Sequence, residues 1–280
     1  MDTNLTKVLA VLVNYGEEQL FYLEQVVKEL KSFKKYDVTV IVNSNIDLNI
    51  SGIDKVNVIA LDNYQLLPLT CRKVLWENRN DYDIFIYGEN DHLFLEKQLD
   101  NHILYSKILP KNRITGLIQI EKDETGIYYP GYHSGKGYHF EWDFNSVETY
   151  GEKKFAHFSN LHQATFILTK EQLLRIGKKI DFLALVDETE KPYIAYLNKI
   201  YKKIFEKKLI NKELSYSLKC KVNTDIYKYA GLKKLICISD FQDNMIHHLP
   251  NVYIEGIEGR KKMRSDSERM QKALNRLLKK

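Results

Sequence analysis

Between Lys7 and Tyr87 short β-branched apolar runs alternate with segments of helical spacing, and this alternation limits the possible folds more than any other feature. "KVLAVLVNY" reads as a first strand. "GEEQLFYLEQVVKELKSF" then sets Leu20, Leu23, Val27 and Leu30 at helical spacing, with Asn14 as a candidate cap. "YDVTVIVNSN" and "KVNVIAL" are a second and third strand. "LLPLTCRKVLWENRN" reads as a helix with Leu69, Val74 and Leu75 facing inward, and "DYDIFIY" as a fourth strand. Such an order predicts an α/β layer with a largely parallel sheet. In such sheets ligands bind beyond the carboxyl ends of the strands.

"GENDH" stands at one of those ends. Ile84 to Tyr87 carry no charge, and then Glu89, Asn90, Asp91 and His92 follow at once. Two carboxylates at the mouth of a sheet suit a hard divalent cation such as Mg²⁺ or Mn²⁺, with coordination positions left for phosphate oxygens. The plainer alternative is a solvated turn in which Asp91 caps the next helix. Gly88, just ahead, allows an unusual backbone angle. His247 and His248, after a later strand-like run, are candidates to complete a mixed O/N shell. One core imidazole and one solvated one would explain that pair equally well.

Farther along, "GIYYPGYHSGKGYHFEWDF" is dense in glycine and aromatics and predicts a hairpin or a long ordered loop. "HQATFILTKEQLLRIGKKI" is a strand entering a helix, with Thr169 and Gln172 as a capping box. "KPYIAYLNKIYKKIFEKKL" is a further amphipathic helix, and "KKLICISDFQDNMIHHLPNVYIEG" a strand, a short helix and the histidine pair. No repeat or linker interrupts the chain before about residue 255. From Glu258 onward nine Lys and Arg face three Asp and Glu. Residues 256–280 therefore read as a basic amphipathic helix docked by Leu274, Leu277 and Leu278, with contact to anionic lipid as the alternative.

A chain of 280 residues can bury one large core. Its net charge of +5 is too small to argue for nucleic acid, and the basic tail alone does not interleave basic and aromatic residues on one face. Cys71, Cys220 and Cys237 are far apart with no CxxC, which fits a reducing compartment and excludes a thiolate zinc site of the usual spacing. With neither a signal peptide nor a membrane span in view, the expected location is the cytoplasm.

"DYDIFIYGENDHLF" resembles the metal-binding segment of GT-A fold glycosyltransferases, in which a hydrophobic strand delivers a DxD or xED motif. Glu89 and Asp91 would stand at the first and last positions, with Asn90 where a second acid often lies. "KVLAVLVNYGEEQLFYLEQVVKEL" is similar to that family's nucleotide-binding strand and helix, and "LTCRKVLWENRNDYD" to the helix before the motif. "LHQATFILTKEQL" resembles the elements flanking the acceptor site, and "DNMIHHLPNVYI" the segment with a metal-binding histidine. The resemblance spans most of residues 7–255. It implies one Rossmann-like catalytic domain over 1–255, with a nucleotide-binding half to about 110 and an acceptor half beyond.

It also implies transfer of a hexose or pentose from a nucleotide sugar, a UDP-sugar first, to a glycan acceptor. Metal would be held by Glu89, Asp91 and His247 or His248, with Arg72 or Lys73 assisting the diphosphate. Asn14, Tyr15 and Asn43 would meet base and ribose, and Tyr129, Tyr132, Tyr138, Trp142 and His162 the acceptor. Asp187, Glu188 or Asp225 would be the base of an inverting reaction; a retaining one needs none.

Other classes lack their marks. A dehydrogenase or methyltransferase wants a glycine-rich first turn, and "VNYGEEQL" has only Gly16. P-loop, GxSxG and HExxH motifs are absent. A sugar-phosphate nucleotidyltransferase would show a basic glycine-rich loop after the first strand. A non-catalytic carbohydrate- or nucleotide-binding protein on the same fold is the remaining alternative.

Overall fold

The computed structural model describes residues 5–130, 141–186, 216–255 and 266–280. β1 (Thr6–Asn14) runs through its centre, with Val8 to Val13 all buried. Successive strand residues take opposite faces. Val8, Ala10 and Leu12 therefore meet α1 (Leu20–Lys31), while Leu9, Val11 and Val13 meet α2 (Leu67–Glu77) on the other side. A strand covered on both faces has no polar alternate positions, which is why its sequence is an unbroken apolar run.

β2 (Tyr36–Ser44) and β4 (Ile84–Glu89) flank β1 in parallel, and β3 (Lys55–Val58) extends the sheet parallel to β2. β11 (Thr165–Thr169) closes the other edge antiparallel to β4, giving the order β11-β4-β1-β2-β3. The fold is thus mixed α/β, with a mostly parallel main sheet between helices. Two smaller mixed sheets complete it. β5 (His92–Leu93), β7 (Ile118–Asp123), β8 (Gly126–Tyr128) and β13 (Met245–His248) lie in the order β5-β13-β7-β8. β6 (Arg113–Thr115), β9 (Trp142–Tyr150), β10 (Lys153–Phe158) and β12 (Lys233–Cys237) lie in the order β6-β12-β10-β9. The remaining described α-helices are α3 (Glu96–Ile108), α4 (Lys170–Gly177), α5 (Leu218–Lys228), a single turn at Val252–Glu255 and α6 (Ser267–Leu278). No described helix is long and apolar enough to cross a membrane.

Several local expectations shift. Asn14 does not cap α1, whose N-terminal flank is Gln19 without a side-chain cap. The buried face of α2 is Leu67, Cys71 and Leu75, while Leu69 and Val74 pack at its margin. Only the two ends of the glycine–aromatic segment are described, β8 folding back on β7 and β9 pairing with β10, while 131–140 lie outside the described residues. α6 docks through Met270, Leu274 and Leu277, whereas Leu278 is 39% exposed. The amphipathic helix expected at 191–209 lies outside the described residues.

Candidate functional site

β4 ends where the main sheet meets the β5-β13-β7-β8 sheet, and Gly88 makes that junction possible. Its backbone is not left-handed. A Cβ there would come within 2.6 Å of Phe94 Cε2 and 3.2 Å of Leu12 Cδ2, so glycine serves close packing rather than an unusual angle. Just beyond, Asn90 Nδ2 donates to Asn14 Oδ1 at 2.7 Å. Asn14 Nδ2 in turn donates to Gly16 O at 2.9 Å and Ser44 Oγ at 3.3 Å. The two asparagines are thus engaged with each other, tying the ends of β1, β2 and β4 together.

Asp91 lies between two imidazoles. Its Oδ1 is 2.6 Å from His92 Nδ1 and its Oδ2 is 3.2 Å from His248 Nε2. His92 and His248 sit directly opposite on β5 and β13, with ring centroids 4.9 Å apart. All three residues are buried, and one ligand atom from each lies within 4.8 Å of the others, so the group could hold a metal ion. Two observations fit a cation there. The O/N/N donor set is one that divalent transition metals accept. His92 Nε2 is also buried with no hydrogen-bond partner among the described residues.

Electrostatics mark the same place. Burial works against the Asp91 charge, but His92 and His248 outweigh it and hold the carboxyl below the ordinary range. Burial alone would depress the His248 imidazole, yet its hydrogen bonds to Asp91 and Glu121 raise it to about 9. Glu89 stands outside the three. Its carboxyl is raised chiefly by burial, and its Oε1 is buried without a hydrogen-bond partner among the described residues.

Beside this group a cleft of about 530 Å³ opens over the carboxyl ends of β1 and β4. Tyr15, 60% exposed, leans on Tyr64 with ring centroids 5.1 Å apart. Asn63 and Gln65 add amides to the rim, and Glu89 and Asn90 form the wall next to the Asp–His–His group. Lys219, from the first turn of α5, is the one cation among the described lining residues, and the Glu89 carboxylate raises its pKa.

No family model matches the chain, and no curated protein matches it.

The structure brings Asp91 and His248 together and sets Tyr15 and Glu89 beside them. It separates the histidine pair, because adjacent strand residues face opposite ways: His247 Nε2 meets Asn251 Oδ1 at 3.1 Å instead. Asn43 is fully buried, bonded to Thr70 and Asn57 at 2.8 and 2.9 Å. Arg72 is on the buried face of α2 with its guanidinium 4.6 Å from the Phe182 ring centroid, and burial lowers it to about 10 despite Asp225 and Asp181. Lys73 is exposed and pairs with Glu77 at 3.8 Å.

Asp225 is buried and accepts from Val186 N at 2.9 Å. Tyr129 and Trp142 belong to the core around Phe158 and Phe241, since aromatic bulk beside glycine served packing there. His162 Nδ1 accepts from Asn223 Nδ2 at 3.2 Å, and burial depresses its imidazole to about 3. Tyr132, Tyr138, Asp187 and Glu188 lie outside the described residues.

Sequence reasoning assigned no role to His92, Glu121, Tyr64 or Lys219. His92 had a visible signal, its place inside "GENDH". The others had none, since each is brought to the site by pairing or packing across the fold.

Proposed function

We propose that the chain is a nucleotide-sugar-dependent glycosyltransferase whose donor is a UDP-sugar and whose acceptor is a glycan. The observation that supports this best is one of adjacency. A single turn, residues 88–92, supplies both the inner wall of the cleft and two members of the buried Asp–His–His group. In this reading the base stacks at Tyr15 beside Tyr64, the rim amides of Asn63 and Gln65 meet polar edges, and the diphosphate lies toward Lys219. Asp91, His248 and His92 would hold the divalent ion. Once bound, such an ion supplies Lewis-acid neutralisation of the diphosphate. With two imidazoles in the shell, Mn²⁺ fits better than Mg²⁺, which prefers oxygen ligands in strict octahedral geometry.

One observation favours a second reading, a nucleotide-binding protein without metal. Both Asp91 oxygens already have imidazole partners, so that carboxylate is satisfied without a metal. Calorimetric titration of UDP with and without Mn²⁺, on the natural chain and on Asp91→Ala, separates the two. The transferase reading expects micromolar binding that weakens at least tenfold when either Mn²⁺ or Asp91 is removed. UDP binding indifferent to both supports the second reading. No binding of UDP, GDP, CMP or dTDP would sink the nucleotide-sugar assignment.

A further inference from the structure

Glu121 has no exposed surface although nothing in "LIQIEKDE" distinguishes it from a solvated strand end. A carboxylate survives such burial only where partners offset its desolvation. One oxygen, Oε1, lies 2.6 Å from His248 Nδ1. The other, Oε2, accepts from the backbone N–H groups of Tyr253 at 2.7 Å and Ile254 at 2.9 Å. The carboxylate is therefore fixed at both ends, with one end committed to the imidazole whose far nitrogen faces Asp91.

We propose that Glu121 is the positioning residue of the metal centre, holding the proton of His248 on Nδ1 so that Nε2 is the nitrogen that ligates. This rests on the metal centre proposed above. The chemistry is that of a donor–acceptor inventory. An ionised carboxylate can only accept, so Glu121 and Asp91 each hold a proton on the nitrogen that faces them; a cation shared with Asp91 would displace the proton on Nε2 and leave the one that Glu121 holds on Nδ1. An imidazole oriented in this way through its second nitrogen is a better and more selective ligand. The backbone donors of Tyr253 and Ile254 stop the carboxylate from turning, and so tie the chain after β13 to the orientation of the ligand. His247, one residue earlier, faces away and meets the Asn251 amide instead of a carboxylate.

The full chain with ¹⁵N-labelled histidine, titrated with Zn²⁺ as a diamagnetic probe, tests this directly. Zn²⁺ should replace the proton on His248 Nε2 while Nδ1 keeps its own. Glu121→Gln retains an acceptor for Tyr253 and Ile254 but turns an NH₂ group toward Nδ1. It should move the proton to Nε2 and weaken Mn²⁺ binding, read by calorimetry, about 10- to 100-fold. Coordination through Nδ1, or natural Mn²⁺ affinity in folded Glu121→Gln, would overturn the role of Glu121 and leave the metal centre standing. Failure of the natural chain to bind either ion overturns the metal centre and this assignment with it. Should the variant not fold, the nitrogen measurement on the natural chain decides alone.

Discussion

At the scale of single residues the most consequential burial away from the cleft is Lys234, 1% exposed on β12. Its Nζ donates to Gln163 Oε1 at 3.1 Å and Leu161 O at 3.2 Å, and sits 5.7 Å from the Tyr227 ring centroid. Those partners are neutral, so burial is not offset by an opposite charge and lowers the amine from 10.5 to about 7. Between those values the unfolded chain holds a proton that the folded chain has released, so stability rises with pH across that window. The slope from this one group approaches about 1.4 kcal/mol per pH unit. Urea denaturation of the natural chain and of Lys234→Met at pH 7, 8 and 9 should show the stability difference between them shifting in favour of the natural chain as pH rises. A difference constant with pH would refute the account. In the sequence Lys234 is half of a "KK" pair and reads as solvated; only the fold, which sets its methylenes against Gly116 where a Cβ would lie 2.6 Å from Lys234 Cδ, reveals otherwise.

Among the elements, α4 shows what a local signal can carry. Thr169 N donates to Gln172 Oε1 at 2.9 Å and Gln172 N to Thr169 Oγ1 at 3.2 Å, the reciprocal cap expected from their spacing. Thr169→Ala should therefore cost about 1 kcal/mol in chemical denaturation. Gln172→Ala should cost more, by about 1–3 kcal/mol, because it also strands the buried His102 imidazole on α3. Gln172 Oε1 faces His102 Nε2 at 2.9 Å, and its Nε2 donates to Ser106 Oγ at 3.0 Å. Equal losses in the two variants would mean that only the cap matters. The same distinction sets what could be read in advance. β1, β2, β4, α1 and α2 were legible because their periodicity lies within one window. The small sheets were not, since β6 pairs with β12 and β7 with β13 across more than a hundred residues. The site divides likewise: Asp91 follows its own strand, but choosing His248 over His247 requires the register that sets His248 against His92, and Glu121 enters only through β7.

For the whole molecule, the question is whether the basic C-terminal helix is an appendage or part of the body that holds the site. Its apolar face, Met270, Leu274 and Leu277, packs into one cluster with Ile118 and Ile120 of β7, Trp142 of β9 and Ile236 of β12. Arg276 meanwhile places its guanidinium carbon over the Phe144 ring, 4.2 Å from its centroid. β7 is the strand that carries Glu121, so the core beneath α6 and the support of His248 are continuous. Burying these side chains inward also removes them from any lipid contact, leaving the helix its charges and Leu278 for an acidic surface, and salt would screen the attraction of the charges. Leu277 is fully buried, and truncating it leaves a cavity costing about 2–5 kcal/mol. If α6 is integral, Leu277→Ala should shift a single denaturation transition to lower urea with the slope unchanged. Tryptophan fluorescence, reporting Trp142 beneath the helix and Trp76 on α2 beside Phe182, should move together with circular dichroism. An early, separate loss of helical signal with the main transition in place would instead make α6 an independent unit. The geometry of Glu121 and His248 would then owe nothing to it.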